Sequence, residues 1–287
     1  MGHGVRVTLT RHLDKESAPL MHEYLHGFAQ EEQRRLVAQA EHFAHTLIPV
    51  GLDYRAGETL LEVGCGAGAV LGVLGRRFPE LRLCGVDLVP AQVEAARVHL
   101  AALGLAADLR VADARTLPFE DASVDHVYCM WVLEHTGEAI AREILREAFR
   151  VLRPGGTIAL TETDYSSFRT YPESENLRAL FSAQYKHYLT HGHAFAGRCL
   201  GPWLKSAGFA KATNVSPGFT HFADGTSRLE AHANYIADFL EPALVPLSNT
   251  GFSVEQLRTG VHDLRQLHTR PEASLTTTVY RGIGVRP

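Results

Sequence analysis

The stretch Leu60-Leu61-Glu62-Val63-Gly64-Cys65-Gly66-Ala67-Gly68, followed by Cys84-Gly85-Val86-Asp87-Leu88, decides the reading of this 287-residue chain. The apolar run before Gly64 predicts a short buried strand, and the three alternating glycines predict a tight turn. A helix follows, and then a second strand that ends in the carboxylate of Asp87. That succession is a nucleoside-binding half-fold in which the carboxylate at the strand end accepts hydrogen bonds from both ribose hydroxyls.

Two details of the turn separate the candidate cofactors. A dinucleotide fold spaces its glycines G-x-G-x-x-G and keeps the start of the helix free for a pyrophosphate. Here the spacing is G-x-G-x-G, and Glu62 stands two residues before the first glycine. A carboxylate in that place repels a diphosphate and attracts an ammonium group. S-Adenosylmethionine (SAM) carries an ammonium and a sulfonium and no phosphate, and Gly64, Gly66 and Gly68 let the backbone approach its methionine part without a Cβ in the way.

From about Gly57 to Leu160 the chain resembles the class I SAM-dependent methyltransferases motif by motif. The motifs are Leu61 to Gly68, Val86-Asp87, Ala112-Asp113-Ala114, Leu117-Pro118-Phe119-Glu120-Asp121-Ala122-Ser123-Val124-Asp125, Val132-Leu133-Glu134-His135 and Leu152-Arg153-Pro154-Gly155-Gly156. The Leu-Pro-Phe and Leu-Glu-His segments are most similar to the broad branch that includes the ubiquinone and menaquinone methyltransferases. The resemblance implies an α/β fold, a Rossmann-like seven-stranded mostly parallel sheet with helices on both faces. It also implies that Asp113 meets the adenine amino group and that the backbone N–H of Ala114 meets a ring nitrogen. Leu88 beside Asp87, and Cys129 and Met130 leaving the fourth strand toward the sulfonium, complete the expected cofactor shell. Tyr24 joins it from an N-terminal segment that in this family often folds over the cofactor.

Composition narrows the partners. With 28 basic against 32 acidic residues the formal net charge is −4, which is the wrong balance for a surface that neutralises a phosphate backbone, so nucleic acid is not the expected substrate. The four cysteines are scattered without a C-x-x-C pair and read as small core residues of a reducing, cytoplasmic compartment. No run approaches the ~20 apolar residues of a membrane span, so no membrane partner is expected. The sixteen histidines are dispersed. His187, His191 and His193 lie close together, but the sequence around Gly192 ends a helix before they share a face, and no metal is expected.

The domain plan is an N-terminal lead and lid helix over residues 1–50, then a methyltransferase domain over 51–287. Leu36, Val37, Ala40, Phe43, Ala44 and Leu47 recur at helical spacing between Glu31 and Leu47. Strands are expected near 59–63, 82–86, 108–111, 124–130 and 157–162, with two more at Thr213–Phe222 and Thr276–Val285, and helices near 68–77, 90–103 and 138–152. Two insertions, about 166–195 and 223–270, leave the carboxyl end of the sheet, where open α/β sheets bind ligands, and are expected to cap the acceptor site.

Transfer from a sulfonium is an in-line displacement with a good leaving group, so positioning is the main requirement. A base matters only when the attacking atom carries a proton. His135 is the first candidate, because an imidazole titrates near neutral pH, and Glu162 and Asp164 at the end of strand five are alternatives. Trp131, Tyr185, Tyr188 and Arg198 are candidate acceptor contacts, with Arg198 suited to an anionic acceptor. The expected function is methyl transfer from SAM to a small-molecule acceptor by a monomer or homodimer. A SAM-dependent cyclase that transfers no methyl, or a SAM-binding sensor, is the alternative.

Overall fold

The computed structural model describes residues 25–287; Tyr24 lies outside the described residues. Five parallel strands form the centre: β1 (Thr59–Val63), β2 (Arg82–Asp87), β3 (Ala107–Val111), β4 (Val124–Met130) and β5 (Leu152–Tyr171). β6 (Ala210–Val215), β7 (Phe219–Phe222) and β8 (Ser274–Val285) follow, and the sheet runs β3-β2-β1-β4-β5-β8-β6, with β7 also pairing to β8. β8 is antiparallel to all three of its partners. The strand order reverses between β1 and β4, which places the ligand crevice beyond their carboxyl ends.

The period of two along the strands sorts residues onto two cores. Leu61, Val63, Val127 and Cys129 face a cluster built with α4 (Glu138–Val151) and α6 (Ala196–Ser206). Leu60, Leu83, Tyr128 and Met130 face the opposite cluster, built with α1 (Gln30–His42), α2 (Ala69–Arg77) and α3 (Pro90–Ala102). Because both faces are covered, β1 reads as a continuous apolar run broken only by Glu62.

The expected α/β class, parallel core and helix positions all appear. The differences lie at the edges. α1 stops at His42, short of Leu47, where the backbone leaves the i→i−4 ladder: the Ala44 N–H turns to the Glu41 carbonyl and the Ile48 N–H to that of Phe43, at 3.2 and 3.1 Å. The strand expected over 213–222 is broken at Pro217-Gly218, where Gly218 takes a positive φ, and becomes β6 and β7, so eight strands replace seven. β5 continues past 162 as far as Tyr171 and pairs with β8 again after a register shift between Asp164 and Arg169. The first insertion therefore starts as sheet and only then turns into α5 (Glu175–His191).

α5, α7 (Arg228–Leu240), α8 (Leu244–Ser248) and α9 (Val254–Gln266) form a helical cap with its own apolar core, which includes Tyr165, Phe168, Leu180, Tyr188, Ile236 and Leu264. Among the described residues no helix is long and apolar enough to cross a membrane.

Candidate active site

A cavity of about 280 Å³ lies where β1, β2, β4 and β5 end and the cap begins. One end is walled by Gly64, Gly66, Asp87, Leu88, Asp113 and Ala114, the other by Trp131, His135, Tyr165, Phe168, Gln184 and Phe239.

At the first end, Gly64 and Gly66 hold positive φ of 72° and 48°, a conformation an L side chain takes only at a cost. A Cβ on Gly64 would strike the Val132 side chain. Gly68 also has a positive φ, of 73°, but it does not line the cavity. A Cβ there would sit 3.0 Å from the Ala96 Cβ, so this glycine lets α2 pack on α3.

Glu62 is 2% exposed and lines the cavity. Its Oε2 accepts the Leu71 N–H at 3.1 Å, and burial, with the nearby Asp87 charge adding to it, pushes its carboxyl well above the usual carboxylate range. Asp87 uses one oxygen for the Gly66 N–H (2.8 Å) and the other for the Val89 N–H (2.9 Å). The carboxylate, which lines the cavity, is thus fixed by the glycine turn that it faces. Burial also raises the Asp87 carboxyl. Asp113 is held by Arg115, with Nε and Nη2 spanning both oxygens at 2.7–3.1 Å. Burial pulls the Asp113 carboxyl upward, but the Arg115 bonds outweigh it and keep the group below its ordinary value.

At the second end, Trp131 leaves β4 in a left-handed conformation (φ 54°) and donates its indole N–H to the Thr163 hydroxyl at 3.0 Å. Strain of this kind persists only where the surroundings over-determine it. The single 3₁₀ turn Leu133–His135 follows. Glu162, 0% exposed, caps that turn, taking the N–H groups of Val132 (3.1 Å), Leu133 (2.9 Å) and Glu134 (3.0 Å). Glu134 points back, accepting from the Thr163 N–H at 2.9 Å and the Tyr165 hydroxyl at 2.6 Å. His135 is thereby presented to the cavity, and burial, helped by His187 and Arg35, lowers its pKa to about 3. The ring is neutral at physiological pH.

Residues 61–160 match the family described as a methyltransferase domain. Over that stretch the chain carries a methyltransferase domain. Over 169 residues it is 37% identical to an uncharacterized 37.1 kDa protein of a Streptomyces fradiae transposon, an alignment covering 57% of this chain and 47% of that protein. Over 124 residues it is 36% identical to ubiquinone biosynthesis O-methyltransferase of Xanthomonas campestris, covering 41% of this chain and 50% of the relative. The chain thus spans about half the length of these curated relatives. A solved phosphoethanolamine N-methyltransferase 2 of Haemonchus contortus, in complex with phosphomonomethylethanolamine and S-adenosylhomocysteine, shares the fold at a TM-score of 0.54 and 16% identity, over 95% of this chain and 58% of that one.

Several expected site residues stand away from the cavity. Glu162 is sealed beneath the 3₁₀ turn and does not reach the wall. Asp164 and Arg198 bind each other at 2.6 Å, with Asp164 also held by Ser166, and neither lines the cavity. Tyr188 is 1% exposed in the cap core, stacked on Tyr165 at 3.7 Å, and Tyr185 packs edge-on to Phe195. The cavity face of α5 is instead Gln184. Cys129 belongs to the α4 side of the sheet, while its neighbour Met130 lines the site. His187 and His191 stack at 4.8 Å but His193 turns to Trp203, and no trio of metal-ligating side chains gathers among the described residues.

Gln184, Glu134 and Arg35 escaped the sequence reading. Arg35 looks like a solvated helix face, yet it is folded inward over the Phe239 ring (5.1 Å) and clamped by Glu32 and Gln39. Its signal was the Glu32/Arg35/Gln39 spacing, which forms a ladder along one side of α1.

Proposed function

We propose that the protein transfers a methyl group from SAM to a small-molecule acceptor enclosed under the cap, releasing S-adenosylhomocysteine. The observation that carries this reading is a continuous cavity, which joins the glycine and carboxylate end to an aromatic, helix-covered end.

The fit of the cofactor end rests on its donor set. Glu62 and Asp87 bring carboxyl groups that a bound cation would ionise beside two positive-φ glycines, and among the described residues the cations on the wall are Arg35 and Arg115, each tied to a carboxylate. Such a wall suits a cationic nucleoside and offers nothing to a diphosphate. Glu62 would face the ammonium, Asp87 the ribose, and Ala114 with Asp113 the adenine. Bound SAM supplies an electrophilic methyl on a good leaving group. The chain's own part is to bring the acceptor atom into line, to exclude water with the cap, and to accept a hydrogen bond at the neutral ring of His135, which the same burial makes too weak a base to hold the proton itself. A small acceptor, with neither nucleic acid nor membrane as partner, in a cytoplasmic monomer or homodimer, is consistent with the acidic net charge and the narrow covered site.

Incubation with SAM and a panel of candidate metabolites, read out as S-adenosylhomocysteine formed, tests this directly. Product that depends on an acceptor and falls in His135→Asn, with unchanged S-adenosylhomocysteine binding, is the expected result. Conversion of an acceptor without S-adenosylhomocysteine would instead support the cyclase alternative, and absence of calorimetric binding of either sulfur compound to folded protein would sink the cofactor assignment.

A further inference from the structure

The acceptor end of the cavity is apolar except at a few atoms, and nearly all of those are already used. Its rings and aliphatic groups come from Phe28, Leu36, Phe168, Tyr235, Ile236 and Phe239. The Arg35 guanidinium gives its Nε and one Nη to Glu32 and the other Nη to Gln39, each at 2.7 Å. The Glu134 oxygens take the Thr163 N–H and the Tyr165 O–H. A charged acceptor would lose its hydration there and find no uncommitted counter-charge among the described residues.

Gln184 is different. It is 1% exposed, it lines the cavity, and its buried Oε1 meets no hydrogen-bond donor among the described residues. A buried amide oxygen without a donor is costly, an apolar residue of the same size would avoid that cost, and a turn of the terminal amide torsion exchanges oxygen and nitrogen at the cavity wall, so its presence calls for a partner from outside the chain. The amide is also rigidly carried. It stands one helical turn before Tyr188, whose ring is stacked on Tyr165 at 3.7 Å and tilted against His135 at 5.5 Å. Gln184 and His135 therefore reach the same end of the cavity from neighbouring supports.

We propose that Gln184 is the specificity-determining residue for the acceptor, and that the acceptor is a neutral, largely apolar ring compound whose hydroxyl group donates to the Gln184 amide oxygen. The assignment rests on the methyl-transfer reading of this cavity. A site built around such an amide discriminates strongly against analogues that lack the donor, because the buried oxygen is then left unpaired.

Three probes of one shape test it on the full chain loaded with S-adenosylhomocysteine: 4-ethylphenol, 4-ethyltoluene and 4-ethylbenzoate, with affinities from ligand-observed NMR. The phenol is expected to bind at least tenfold more tightly than the toluene, although the toluene is the more hydrophobic, and the benzoate is expected not to bind. In Gln184→Leu and in Gln184→Met the phenol-to-toluene ratio should collapse to about one, while S-adenosylhomocysteine affinity stays at the wild-type value and reports that the variant is folded. Equal binding of phenol and toluene to wild type, retention of the preference in a folded variant, binding of none of the probes, or tight binding of the benzoate overturns the proposal. Failure of wild-type protein to bind S-adenosylhomocysteine is a separate result that overturns the underlying reading.

Discussion

Glu162 and Glu134 bracket the ends of two neighbouring strands reciprocally: the Glu162 carboxylate accepts the Glu134 N–H at 3.0 Å, and the Glu134 carboxylate accepts the Thr163 N–H at 2.9 Å. Both side chains are buried, and burial together with their mutual proximity holds the Glu162 carboxyl well above its ordinary range. The turn that presents His135 is thus fixed from below by an acid, which explains why Glu162 lies at the site without facing it.

Removing that acid should act on stability first. Glu162→Ala strands three buried N–H groups and leaves a cavity, each a recognised source of large losses, so urea denaturation should show a loss of about 3 kcal/mol or more. Glu162→Gln keeps an oxygen for Val132 and Leu133 but turns a donor toward the Glu134 N–H, and should lose about half as much. A Glu162→Ala protein as stable as wild type would contradict the bracket.

Two glycines of the same turn should fail in different ways. In Gly68→Ala the new methyl meets Ala96 at 3.0 Å in a positive-φ backbone, so the expected loss is about 2–4 kcal/mol of stability with S-adenosylhomocysteine affinity retained by the folded fraction. In Gly66→Ala the nearest atom is Leu36 Cδ1 at 3.5 Å and packing is spared, but the methyl enters the cofactor end of the cavity. Binding should fall at least tenfold there, with a stability loss of only about 1 kcal/mol. Calorimetric titration beside thermal denaturation separates the two.

Acid should loosen the lid. His232 on α7 is 1% exposed, 3.3 Å from His42 on α1 and 2.9 Å from the Thr277 hydroxyl, and burial, with His221 and His42 adding to it, lowers its pKa to about 3. The unfolded chain takes up this proton near 6.5 and the folded chain near 3, so the stabilisation from the neutral ring is present above 6.5 and is lost as pH falls between those values. One such proton steepens the acid limb by up to about 1.4 kcal/mol per pH unit. In His232→Gln that limb should be shallower by about one proton, as read from denaturation midpoints between pH 4 and 7; an unchanged slope would refute the assignment.

The parts of the molecule that were legible in the sequence are those governed by local rules. Strand β1, its glycine turn and Asp87 depend on residues next to one another, and periodicity placed α3 and α4 to within a residue or two. The acceptor end was not legible, because its residues meet only through tertiary packing. Glu162 and Asp164 read as acids at the open end of strand five, yet β5 runs straight through them to Tyr171, pairs with β8 and buries both. Tyr185 and Tyr188 were the conspicuous residues of α5, but Tyr188 stacks on Tyr165 and Tyr185 packs edge-on to Phe195, which draws them into the cap and leaves the inconspicuous Gln184 on the cavity. Arg198 suggested an anionic acceptor, but its partner is Asp164.

Glu62 offers the sharpest separation of stability from binding. Its carboxyl is 2% exposed and raised mainly by burial, so the ionised form costs the unliganded fold free energy near neutral pH. The raised value means that the unfolded chain releases this proton at a lower pH than the folded one, and stability is lost as pH rises above about 4.5. Glu62→Gln retains an oxygen for the Leu71 N–H and abolishes the charge. The unliganded variant should therefore match or exceed wild type in stability, by a margin that widens from pH 5 to pH 8. Its affinity for S-adenosylhomocysteine should nevertheless drop by about 10- to 100-fold, the worth of one charge-assisted hydrogen bond to an ammonium. Denaturation of the unliganded protein across that range, with titration of the ligand at pH 7.5, gives both numbers. A variant less stable than wild type but binding with full affinity would show that the carboxylate serves the turn and not the cofactor.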